Sequence, residues 1–103
     1  VPWQPITEEN LLTLLAEELA KLPADLREQF EAADQPPCRV PCERGLGTET
    51  VFLVFHCNDR FVIYDDVEEE FAVAMVGNAR DGLVTAWVLA GSLEWAMKAA
   101  VFS

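Results

Sequence analysis

Apolar residues recur at helical spacing along the first third of the chain and at strand spacing through its middle. Leu11, Leu12, Leu14, Leu15, Leu19 and Leu22 form a helical stripe. Thr7 stands before it as an N-cap, and Glu8 and Glu9 match the positive end of the helix dipole. The spacing predicts a helix over residues 8–21, with Ile6 and Leu11 at the N′ and N4 positions of a hydrophobic staple that fixes how the Trp3 arm enters. Pro23 ends that run and suits the first turn of a second helix, in which Leu26, Phe30 and Ala33 recur at i, i+4 and i+7. Two helices meeting at Leu22-Pro23 make a corner.

Periodicity is lost over residues 34–48, where Pro36, Pro37, Pro41, Gly45 and Gly47 read as one long irregular loop. From Glu49 the period becomes two. Residues 50–57 are apolar on both faces, the mark of a central strand covered on both sides. Asn58-Asp59 tolerates the positive φ of a two-residue hairpin turn, and residues 60–64 return as a second strand. A third strand, 70–76, sets Phe71, Val73 and Met75 on one face and only Ala72, Ala74 and Val76 on the other, so the small face is expected to receive a helix. A turn over 77–82 leads to a fourth strand, 83–89. Gly91 ends it, and Ser92 caps a last helix with Leu93, Met97, Ala100 and Val101 inward and Trp95 and Lys98 towards its margins. The expected fold class is α+β, an antiparallel four-stranded meander preceded by two helices and followed by a C-terminal helix. The order is α-α-β-β-β-β-α, in a single domain spanning 1–103.

Composition supports one real core, because the sequence is 51% hydrophobic and a chain of this mass buries about 65% of its surface on folding. No apolar run approaches the roughly 20 residues of a spanning helix, and Val1-Pro2-Trp3-Gln4-Pro5 lacks the features of a signal peptide. A soluble, cytoplasmic protein with no membrane partner is the expectation. Three cysteines cannot all pair within one chain, so reduced thiols are expected. A Cys38–Cys42 bridge is the one short-loop alternative in an oxidising compartment.

Charge changes this picture most. Eighteen acidic residues face seven basic ones, a formal net charge of −11. Such a surface attracts cationic partners and repels phosphate backbones and anionic lipid. The seven basic residues are scattered, which argues further against nucleic acid. The densest acidic run, Asp65-Asp66-Val67-Glu68-Glu69-Glu70, joins the second and third strands and reads as a solvated hairpin tip that also discourages edge-to-edge pairing. It has neither the alternation nor the glycine of a calcium loop.

Two other chemistries can be written on these residues. Cys38, Cys42, His56 and Cys57 supply the ligand types of a Cys₃His zinc site, although neighbours on a strand point to opposite faces and Cys-x₃-Cys is a weak spacing. A cysteine nucleophile beside Arg39 or Arg44, with His56 as base, is the other. Both rank below a reading with no cofactor and no catalysis. The sequence carries no nucleophile elbow, phosphate-cradling loop or paired-histidine zinc motif. Of Trp3, Trp87 and Trp95, at least one is expected at an interface, because tryptophan is rarely fully buried and is enriched at binding hot spots.

The stretch Leu22-Pro23-Ala24-Asp25-Leu26-Arg27-Glu28-Gln29-Phe30 resembles the helix-opening segment of a family of bacterial immunity proteins, and the overall charge is similar to that of toxin-neutralising proteins. The resemblance covers under a tenth of the chain, and the four strands that follow do not continue the family's pattern, so no site residue is carried over. The function expected from the residues themselves is a small non-enzymatic module docking a basic protein partner. Asp65, Asp66, Glu68, Glu69 and Glu70 would steer it, and Tyr64, Phe71 or Trp87 would anchor it. The alternatives are a self-associating structural protein, a homodimer across one apolar sheet face, and the metal or thiol site.

Overall fold

The computed structural model describes residues 6–33, 37–43, 48–65, 69–76 and 84–102, with positions 43, 48, 49, 76 and 84–90 described as backbone. The Trp3 arm, Asp66, Glu68 and the 77–82 turn lie outside the described residues, as does the side chain of Trp87.

Two helices lead, α1 (Glu8–Ala20) and α2 (Ala24–Ala33). Five strands follow, β1 (Cys38–Glu43), β2 (Thr48–Cys57), β3 (Arg60–Asp65), β4 (Glu70–Val76) and β5 (Val84–Gly91), and α3 (Leu93–Phe102) closes the order. The α+β class, the two leading helices, the antiparallel meander β2 to β5 and the C-terminal helix agree with the sequence pattern. Residues 34–48 do not form one loop, because β1 lies within them. β1 accommodates Pro41 while pairing with β2 along its length and, among the described residues, with β5 at Cys42 and Glu43.

That added strand changes the architecture. β1 pairs β2 antiparallel and β5 parallel, so the sheet closes into a barrel in the order β1-β2-β3-β4-β5. A barrel narrows as its strand number falls, and five strands leave an interior filled by Cys42, Val51, Leu53, Ile63, Ala72 and Ala74, with Val40 and Phe61 against them. The larger side chains turn outward. Phe52, Val54, Phe55, Val62, Tyr64, Phe71 and Val73 form a second cluster with Leu11, Leu15, Leu22, Leu26, Leu93, Ala96, Met97 and Ala100 of the helices. The expectation that a helix packs on the small face of β4 is therefore reversed: Ala72 and Ala74 line the barrel, and Phe71 and Val73 meet the helices. Closure explains the reversal, since the concave side has least room.

β2 is covered on both sides as its pattern predicts. A bulge between Leu53 and Phe55 breaks the alternation, so Val54 and Phe55 both join the helix-facing cluster. Phe55 stacks on Phe30 of α2 with ring centroids 5.8 Å apart. The β2–β3 hairpin turns on Asn58, whose φ is 55°. Its tolerance of the left-handed region is why it sits there.

The helix ends follow their sequence signals. Thr7 Oγ1 accepts the Asn10 amide at 3.1 Å, and Ser92 Oγ accepts that of Trp95 at 3.3 Å. Ile6 packs on the core that buries Leu11. Pro23 stands one residue before α2, and its carbonyl accepts the Arg27 amide at 3.0 Å. α3 lies against β3, β4 and β5, and both leading helices rest on it.

The filled interior generates a prediction. Ala74→Leu is expected to destabilise the chain by about 1–3 kcal/mol through overpacking, read as a lower urea midpoint with an unchanged slope. A variant as stable as the parent would mean that the barrel is not closed.

Candidate functional site

The barrel interior is lined mainly by apolar side chains, with Asp65 the buried acid among the described residues, and most of the described acids stand on the helices. Glu8, Glu9, Glu17, Asp25, Glu28 and Glu31 are exposed, and Glu18 is half-buried. Seven carboxylates over residues 8–33 oppose Lys21 and Arg27 alone, which leaves that segment at −5. Both cations are engaged nearby: Lys21 Nζ lies 3.1 Å from Glu18 Oε2, and Arg27 Nη2 donates to the Leu22 carbonyl at 3.2 Å.

The most built polar corner is where α1 meets the start of α3. Glu18 Oε1 accepts the Leu93 amide at 3.3 Å, so a carboxylate from α1 satisfies an N-terminal donor of α3 and opposes its dipole. Next to it Lys98 Nζ lies 2.7 Å from Glu94 Oε2 and 5.5 Å from the centroid of the Trp95 ring. Glu18, Lys21, Gly91, Ser92 and Glu94 line an open cleft of about 300 Å³ at this corner. The Glu94–Lys98 pair stands at i,i+4, a spacing that could have revealed it but was not used. The Glu18 contact has no such signal, because its partner is 75 residues away.

The acidic run that dominated the sequence divides. Asp65 is fully buried, on the barrel-facing side that Phe61 and Ile63 share, and is in register with Glu70 across the β3–β4 pair. Glu69 is exposed with φ 56°, and Glu70 is half-buried. Burial removes Asp65 from any steering surface. The two described anchors also move inward: Tyr64 is 5% and Phe71 2% exposed, tilted against each other at 5.0 Å in the helix-facing core. Adjacency to the acids along the chain did not carry these rings to the surface, because the face they share is the one the helices cover. Among the described residues the exposed large apolar side chains are Leu12 at 49%, Trp95 at 65% and Phe102 at 65%.

The thiol and metal candidates do not converge. Cys38 and Cys42 stand four positions apart on one extended strand, a separation of about 13 Å, which excludes a disulfide between them. Cys42 is buried inside the barrel, whereas Cys57 packs against the helix-facing core. His56 is exposed, stacks on Phe61 at 4.6 Å and hydrogen-bonds the Asn58 carbonyl through Nε2. Among the described residues no three His, Cys, Asp or Glu side chains cluster as metal ligands do. Arg39, expected to activate a neighbouring thiol, instead lies 4.3 Å over the Phe52 ring and donates to the Ile6 carbonyl at 3.1 Å. Strand alternation turns it away from Cys38.

Titration of the native chain with a thiol reagent is expected to modify Cys38 at once, Cys57 slowly and Cys42 only on unfolding. Simultaneous modification of all three would contradict this placement. Glu18→Ala should lower stability by about 1 kcal/mol, whereas Glu17→Ala, one position along on the exposed face, should stay within about 0.5 kcal/mol. Urea unfolding of both variants separates the cap from a general charge effect. No family model matches the chain, and neither a curated protein nor a solved structure matches it.

Proposed function

We propose that this chain is a non-catalytic binding module that docks a positively charged protein surface, in the manner of inhibitors, immunity proteins, specialised chaperones or nucleic-acid mimics. The observation that carries the reading is the excess of exposed carboxylates on α1 and α2, where Glu8, Glu9, Glu17, Asp25, Glu28 and Glu31 are each exposed. Such a field steers a cationic partner and speeds encounter. The same field opposes approach by nucleic acid. Glu69, and Glu70 to a lesser extent, extend it at the end of the β3–β4 pair.

Further support comes from how the acids are placed. Among the described acids of α1 and α2, Glu18 reaches another element of the fold, through the Leu93 amide. Glu17, Glu28 and Glu31 are available for a role outside the chain.

Immobilised protein, challenged at low and at moderate salt and read by mass spectrometry, supplies the partner. Association kinetics then test the reading. Glu17→Gln/Glu28→Gln/Glu31→Gln is expected to slow association by about tenfold at low salt and to flatten its salt dependence, with dissociation little changed. Glu68→Gln/Glu69→Gln/Glu70→Gln measures the share of the strand-end run. An on-rate untouched by either set would reject electrostatic docking.

A further inference from the structure

The partner must also be held once it has been steered, and the described acids do not identify the anchor. α3 turns Leu93, Ala96, Met97 and Ala100 inward, so its outer side is fixed by helical geometry. Trp95 and Phe102, seven positions apart, fall on one stripe of that outer side, and each is 65% exposed. Isolated exposed apolar residues need no explanation. Two aromatic rings aligned on a ten-residue helix, beside a polar cleft, do.

We propose that this outer face of α3, from Trp95 to Phe102, together with the cleft at its N-terminal end, anchors a cationic segment of a partner protein, with an arginine of that segment stacked on the Trp95 ring. The inference rests on the acidic-module reading and gives that reading a location.

Three observations carry it. The first is that the corner already accommodates a cation: the ammonium of Lys98 sits between the Glu94 carboxylate at 2.7 Å and the Trp95 ring at 5.5 Å. An arginine offers the same charge with a planar group that stacks on an indole and pairs with a carboxylate at once. The Glu94–Lys98 pair is open to solvent, with side-chain exposures of 39% and 41%, and pairs of this kind are weak enough to exchange.

Space is the second. The cleft of about 300 Å³ lies at the same end of the helix and is lined by the Glu94 carboxylate, Ser92 and the Glu18–Lys21 pair, so Glu94 is the carboxylate most open to a neighbouring cationic group.

Charge is the third. α3 carries one acid and one base in a chain of net charge −11, so an apolar contact here is surrounded by a field that favours a cationic segment. A second copy of this chain would meet its own like charge. Truncating an aromatic anchor of this kind mainly raises the dissociation rate.

The test uses the full chain and two fluorescent probes, an arginine homopeptide and a lysine homopeptide of equal length. Both are titrated at low salt by anisotropy, alongside light scattering of the protein alone. Trp95→Ala is expected to weaken the arginine peptide by about three- to tenfold and the lysine peptide less. Trp95→Phe should fall between. Glu28→Gln/Glu31→Gln, on α2, should weaken both peptides equally. Circular dichroism of each variant confirms folding, and Trp95 is exposed enough for its replacement to leave the core intact.

If the parent binds both peptides and Trp95→Ala binds them as tightly, the anchor is not here, although the acidic-module reading survives. If the parent binds neither peptide, both fail. If the parent is a dimer that Trp95→Ala/Phe102→Ala dissociates, a second copy covers the face and the proposal is overturned.

Discussion

A closed sheet of five strands has a narrow inside, and that shortage of room governs the rest of this molecule. Ala72, Ala74, Cys42 and Val51 are what fits there. Phe52, Phe55, Tyr64 and Phe71 cannot share the space, so they stand on the convex side as an apolar surface that water would not tolerate. The three helices cover that surface. With barrel and shell lined mainly by apolar side chains, and Asp65 the buried acid among the described residues, charged groups are left largely to the outer faces of the helices. The anionic exterior follows from how the strands close as much as from the count of acids.

Much of the local structure was legible because it is written in short-range chemistry. Thr7 and Ser92 announce helix starts, the leucine stripe announces α1, and Asn58 announces the hairpin. Strand β1 was hidden by Pro41, a residue that argues against a strand by local propensity, whereas the pairing with β2 that makes one here is set by a partner strand. The two faces of β4 were read correctly as large and small, yet assigned to the wrong neighbours. Alternation shows that a strand has two faces; it carries no sign of which way the sheet curves.

The site divided along the same line. Charge density could be counted, and the exposed helical acids follow from the stripe that turns their leucines inward. The rings beside the acidic run could not be placed by proximity, and Tyr64 and Phe71 proved to be core. Trp95 stood among three tryptophans of which at least one was expected at an interface, but it was placed only at the margin of the buried stripe, and Trp87 was the tryptophan expected to anchor instead. The cysteines looked like a ligand set only while β1 was read as loop. An extended strand holds Cys38 and Cys42 apart, and the barrel wall separates Cys42 from Cys57.

The reach of Glu18 to the Leu93 amide has a consequence for the order in which the molecule can be assembled. α1 meets the rest of the protein largely through α3, and 75 positions of chain separate the two ends of that contact. During synthesis α1 emerges early and waits, with its leucines unsheltered, until every strand and the helix after them have been made. Loop closure over such a distance is slow and comes late. Through that interval the nascent segment carries a charge of −5 over residues 8–33, and like charge of this kind opposes association.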